Sequence, residues 1–234
     1  MKKIIVMMLA LVANGSLRAQ ISDPNIQVRE ARDFHAISVS GAFDVFLTQG
    51  NEEKVAVSAE REKDLAYITV EVSNGVLKIG WDHRSGKWSN GNRKLRAYIS
   101  FRMLNKLEAG GASDVAIVGG WKADEAEIVL GGASDVKGTV NMGRLSVNLS
   151  GASDGKLEGR ADQLTVKASG ASSFKSYDLV TENCKANASG ASDIRITVNT
   201  EIIAEASGAS DIHYRGRAIS KEIRASGASS VSHS

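Results

Sequence analysis

The sequence predicts an all-β protein, a β-solenoid with about 19 residues per coil. Three observations predict it. Gly-Ala-Ser-Asp, or Gly-Ala-Ser-Ser, recurs at Gly111, Gly132, Gly151, Gly170, Gly190, Gly208 and Gly227, with gaps of 21, 19, 19, 20, 18 and 19 residues. Apolar and polar residues alternate with period two ahead of each phrase, as a half-buried strand requires. The single proline, Pro24, precedes all the repeats, so nothing after it removes a ladder donor. Propeller blades also repeat, but they need about 40 residues or more each.

The first 19 residues read as a secretory signal peptide. Met1-Lys2-Lys3 is basic, Ile4 to Ala13 is apolar, and Leu17-Arg18-Ala19 ends on a small residue before Gln20. The apolar run is too short to span a bilayer. No cysteine lies near the cut to carry a lipid. Cleavage removes Lys2, Lys3 and Arg18 and no acid, so the formal charge of +2 becomes −1. A near-neutral mature chain gives no reason to expect nucleic acid or an anionic membrane as partner. The expected location is exported: periplasm, cell surface or medium.

A lead segment, 20–33, comes next, and the solenoid is expected over 34–234. Val39-Ser40-Gly41-Ala42-Phe43-Asp44-Val45 echoes the phrase and reads as an early coil. The next copy begins 70 residues later, after an excursion. Within it Val55 to Ala59 reads as a strand and Glu60 to Ala66 as a helical turn. Val70 to Ser73 and Val76 to Ile79 flank Asn74-Gly75, a strong hairpin signal. Asp82 to Lys94 is a polar loop holding His83, Arg84, Lys87, Trp88 and Arg93, and Leu95 to Phe101 returns as a strand. The excursion is expected to cap the first coil, whose edge would otherwise invite pairing.

The tandem coils follow from 104. Six, four and two places before successive glycines stand Leu145, Val147, Leu149; Leu164, Val166, Ala168; Cys184, Ala186, Ala188; and Ile202, Ala204, Ala206. These point inward, and the many alanines imply a thin interior. Cys184 fills an inward slot held by leucine or isoleucine in sister coils, so it reads as a buried structural thiol. One cysteine allows no internal disulfide. In the phrase itself glycine bends the chain, alanine fits the thin core, and serine and aspartate tie the turn. Lys221 falls at an inward position and suggests a blunted last coil.

Ser40 to Gly50, Asn74 to Ile79 and the tandem phrases together resemble the putative auto-transporter adhesin, head GIN domain family of secreted bacterial proteins. The resemblance covers about residues 34 to 233. It implies a right-handed β-helix-like fold and an adhesin label, and it brings no catalytic residues. The Ala19-Gln20 junction resembles leader sites common in Bacteroidetes.

No catalytic, cofactor-binding or metal residue is assigned. Asp114, Asp135, Asp154, Asp193 and Asp211 occupy one repeat position, with Ser173 and Ser230 as substitutes. Calcium along that row is the sharper alternative to corner chemistry, since stacked carboxylates repel. The sequence lacks the middle glycine of the nine-residue calcium roll, so no cofactor is expected. His35, His83, His213 and His233 show no ligand spacing. Trp88 and Trp121 are candidates for stacking on sugar rings, and Arg195, Arg215, Arg217 and Arg224 decorate strands. The expected function is a non-catalytic adhesion or scaffold module at the cell envelope, binding a glycan or surface protein, with end-to-end self-association open to it. The competing class is a carbohydrate-active β-helix enzyme, a polysaccharide lyase or hydrolase, using carboxylates on one face.

Overall fold

The computed structural model describes residue 23, residues 25–82 and residues 94–234. The signal-peptide reading and the loop residues His83, Arg84, Lys87, Trp88 and Arg93 lie outside them. The described residues form one continuous 16-stranded sheet wound into a β-solenoid. The strands are β1 (Ile26–Arg29), β2 (Ala36–Gly41), β3 (Phe43–Gln49), β4 (Lys54–Ala59), β5 (Ile68–Ser73), β6 (Val76–Trp81), β7 (Leu95–Phe101) and β8 (Lys106–Gly111). Then come β9 (Asp114–Leu130), β10 (Asp135–Leu149), β11 (Asp154–Ala168), β12 (Ser173–Ala188), β13 (Asp193–Gly208), β14 (Asp211–Arg215), β15 (Ile219–Gly227) and β16 (Ser230–His233). A short 3₁₀ helix spans Glu62–Tyr67.

Strands β9 to β13 are each one coil, paired parallel with the next in register. In β10 the buried residues Val136, Val140, Met142, Leu145, Val147 and Leu149 all face one interior. The ladder to β9 shifts register between Gly138 and Val140, and the alternation breaks at Gly143, which the ladder to β11 skips. Each coil therefore has three short sides and a tight corner at the phrase. Cys184 sits in register between Leu164 and Ile202, buried as expected.

The early coil stacks directly on the first tandem coil. Asp44 is paired with Asp114, and Ile37 with Leu107, across the whole excursion. The excursion lies at the far side of that early coil. Its strands β6 and β7 run parallel to β2 and β3, adding one more layer. Strands β5 and β4 then pair antiparallel with β6 and β7, and β1 pairs antiparallel with β4. The parallel stack ends there, as a cap on the first coil would do.

Gln49 closes the third side, which the early coil lacks. Its side-chain amide donates to the carbonyl of Lys122 at 2.9 Å and accepts from the Lys122 N–H at 2.8 Å. The amide thus stands in for the missing strand.

Two sequence expectations fail here. The alanines of the phrase, from Ala112 to Ala228, are exposed, while the serines before the last coil are buried. The left-handed glycine turn reverses the strand's alternation, so serine rather than alanine points inward. Lys221 is also exposed: it sits at a bulge between Ser220 and Glu222, and its Nζ lies 3.1 Å from Glu201 Oε1.

Candidate functional site

The repeated corner is built to hold itself. Gly132, Gly151, Gly170, Gly190 and Gly208 have φ between 75° and 79°. A Cβ on any of them would meet the glycine carbonyl of the coil below at 2.4 to 2.8 Å. Glycine is needed both for the turn and for the close approach of coils. The following alanine N–H donates to that same carbonyl, as from Ala152 to Gly132 at 2.7 Å.

The serine hydroxyls are occupied. Ser153, Ser172, Ser192 and Ser210 donate to the carbonyl three residues back at 2.8 to 3.0 Å. Ser192 and Ser210 also lie 3.1 and 3.0 Å from carbonyls of the preceding coil. A buried hydroxyl bonded in this way satisfies backbone that the corner leaves unpaired. It is not poised as a nucleophile, having no base beside it.

The aspartates form an in-register row from Asp44 through Asp114, Asp135 and Asp154, then Ser173, Asp193, Asp211 and Ser230. The Asp154 N–H donates to Asp135 Oδ1 at 3.2 Å. Burial, with repulsion from Asp114 and Asp154, pushes the Asp135 carboxyl above the usual carboxylate range. Among the described residues no group of three or more His, Cys, Asp or Glu side chains is placed to hold a metal ion.

The remaining candidates are dispersed. Trp121 is buried, its Nε1 donating to the Leu104 carbonyl at 3.2 Å and its ring packed edge-on to Phe101. It is a packing residue and offers no face to a sugar. The Cys184 thiol is pushed far up by burial alone, which leaves it unreactive. His213 bonds Ser232, and His233 bonds the Gly216 carbonyl. Arg195 pairs with Asp193, Arg224 pairs with Glu222, and Arg215 lies 4.0 Å over the Tyr177 ring. These contacts scatter along the rod and converge on no cleft.

One surface does bring unusual side chains together. On the outer face, cross-strand pairing aligns Val28, Ala56, Tyr98, Phe46, Ala116 and Lys137 in one row. The Phe46 and Tyr98 ring centroids are 5.2 Å apart with planes 12° from parallel. Coplanar rings could not come so close, so the two are offset and face to face, standing up from the sheet. Both rings are half-buried, and Phe46 stands opposite Ala116 across the next strand pair. Val118, diagonal to Phe46, is 49% exposed, and Val28, beyond Ala56 from Tyr98, is 73% exposed. Asp44 and Asp114 border it along the strands, two residues away.

The lead segment is pinned next to that face. Asp23 Oδ2 accepts from Arg96 at 2.9 Å, from Tyr98 Oη at 3.3 Å and from the Ser58 hydroxyl. Burial opposes its charge, but the bonds from Ser58 and Arg96 outweigh burial and hold its carboxyl below the usual range. The sequence pattern did not flag Phe46, Tyr98 or Asp23. Phe46 was detectable: it is a large ring at an outward position between inward Val45 and Leu47.

A family model described as "Putative auto-transporter adhesin, head GIN domain" matches residues 33–218. A putative adhesin from Bacteroides fragilis has a TM-score of 0.82 and 22% identity, over 89% of this chain and 96% of its own. A putative lipid binding protein from Parabacteroides distasonis has a TM-score of 0.70 and 19% identity, over 92% of this chain and 98% of its own. A putative adhesin from Parabacteroides merdae has a TM-score of 0.68 and 19% identity, over 89% and 95%. At these identities the structures share the fold. No curated protein matches the chain. The repeated corner, the stacked coils and the family match together place this chain in the putative auto-transporter adhesin, head GIN domain family.

Proposed function

We propose that the chain is an exported, non-catalytic adhesion or scaffold module of the cell envelope, with the outer face around Phe46 and Tyr98 as its contact surface. The observation that carries this reading is the stacked, half-buried aromatic pair on the outer sheet face, with exposed Val28 and Val118 on the same face. Aromatic faces attract polarised C–H groups and cations, and they give contact area at little entropic cost. The corner motif supports the same reading from the other side. Its serines are consumed in backbone bonds and its aspartates repeat along the rod, so the phrase serves architecture. The adhesin names of the family and of two structural neighbours agree with it. Export rests on the basic, apolar and small-residue pattern of the first 19 residues.

The test is binding of residues 20–234 to glycan and extracellular-matrix arrays, beside Phe46→Ala. Binding by the parent chain that Phe46→Ala abolishes is the expected result. Binding that Phe46→Ala leaves intact would move the contact surface elsewhere. Binding to neither array would refute adhesion to those classes.

A further inference from the structure

The two ends of the solenoid are finished differently. At one end the antiparallel strands β4 and β5 stop the parallel stack. At the other, among the described residues, β15 pairs only with β13, and β16 only with β14. Every residue of β15 is exposed, and Ile219 and Ile223 stand 78% and 40% exposed.

The backbone of β15 has a defined free side. In a parallel ladder alternate residues bond each neighbouring strand. Ala228 N–H donates to the Gly208 carbonyl at 2.8 Å, toward the coil below. In sister corners the serine just before the glycine also donates to the coil below, Ser150 to the Leu130 carbonyl and Ser169 to the Leu149 carbonyl, each at 3.0 Å, so the equivalent Ser226, and Arg224 two residues before it, face β13. Gly227, Ala225 and Ile223 therefore direct their N–H and C=O groups to the open edge. The Ile223 and Ala225 side chains lie over Ala204 and Ala206, at the place where the interior ends.

We propose that a second copy of this chain closes this edge, its β15 pairing antiparallel with β15 about a two-fold axis at Ile223. Ile223 then meets its own equivalent in a hydrogen-bonded pair, and the two side chains cover the exposed ends of both interiors. Glu222 faces Arg224 of the second copy in the flanking non-hydrogen-bonded pairs, where Cα atoms approach to about 4.5 Å and side chains are closest. Arg224 already pairs with Glu222 within the chain, so the interface becomes a four-membered ring of alternating charge. Lys221 would otherwise resist an approaching strand, but Glu201 holds it at 3.1 Å.

Register follows from charge. A two-fold that keeps both interiors on one side must centre on a residue. Centring on Glu222 or on Arg224 sets like charges opposite each other, which is destabilising. Centring on Ile223 sets opposite charges together at both flanks. The antiparallel strand supplied by the second copy ends the stack as β4 and β5 end it at the far side. This pairing stands independently of the adhesion reading.

Light scattering on size-exclusion fractions of residues 20–234, over a concentration series, tests it. The parent chain is expected to dimerise. Arg224→Glu sets Glu222 against a glutamate at both flanks, and it should weaken the dimer by roughly tenfold or more. Adding Glu222→Arg to Arg224→Glu restores opposite charges in the same register and should restore the dimer. Thermal midpoints equal to the parent's show that each variant folds. A parent chain that stays monomeric throughout, or an Arg224→Glu chain that dimerises as well as the parent, would overturn the proposal. So would a double variant that folds and fails to recover the dimer.

Discussion

Gly151→Ala probes the corner with a single methyl group. Gly151 has φ of +76°, and a Cβ there lies 2.4 Å from the Gly132 carbonyl oxygen in the coil below. Two costs add. The left-handed backbone costs a non-glycine residue about 1–2 kcal/mol. The contact is backbone against backbone, so no side chain can swing away, and overpacking of this kind costs about 1–3 kcal/mol. Relief by parting the coils would stretch the 2.7 Å bond from Ala152 to Gly132. The expected loss is about 2–5 kcal/mol. Gly110→Ala is the matched control, since an added Cβ there meets nothing within 4 Å. Urea unfolding followed by far-ultraviolet circular dichroism compares the two, with slopes checked because a repeat array can lose end coils first. Equal midpoints for Gly151→Ala and Gly110→Ala would refute the reasoning that the glycine is imposed by coil stacking.

Three further outcomes follow from the buried and charged groups. Cys184 should resist thiol reagents in the native protein and react on unfolding, and Cys184→Ser should cost about 1–3 kcal/mol; rapid native labelling would contradict its placement. Asp135 has a folded pKa above its unfolded value, so the stability it contributes rises as pH falls through the folded pKa and is complete below the unfolded one. Asp135→Asn should therefore raise the thermal midpoint at neutral pH, and the gain should vanish well below the ordinary aspartate value of 3.8; a midpoint lowered at neutral pH would contradict the repulsion. Asp23 has the opposite sign. Its folded pKa lies below its unfolded value, so its contribution is present above the unfolded pKa and lost as pH falls through the folded one. Asp23→Asn should cost about 1–2 kcal/mol at neutral pH and nothing in strong acid; a pH-independent loss would point to packing instead.

The interior was legible because it repeats. Leu145, Leu164, Cys184 and Ile202 share a register, and period-two alternation at fixed spacing can mean only stacking of like on like. The hairpin at Asn74-Gly75 was legible for a local reason: its turn needs φ above zero at both residues, observed at 52° and 73°. The phrase was read with the wrong side inward. Alternation cannot be carried through a left-handed glycine, and only the three-dimensional turn shows that Ser153 is buried and Ala152 exposed. Lys221 misled for a related reason, since one bulge shifts every later residue by one place. The Phe46–Tyr98 pair depends on two strands separated by the excursion, and no local pattern encodes that register.

The central claim is that the early coil sits directly on the first tandem coil and that the corners form one straight ladder. Spin labels on the exposed corner alanines measure this, with Cys184 too buried to be labelled. At ~4.8 Å per coil, Ala112 and Ala209 should lie about 24 Å apart and Ala42 and Ala209 about 29 Å apart. A single added step between the two pairs is the predicted result. If the 70 residues of the excursion were themselves wound as coils, Ala42 would lie about 40 Å or more from Ala209, and that distance would contradict the account.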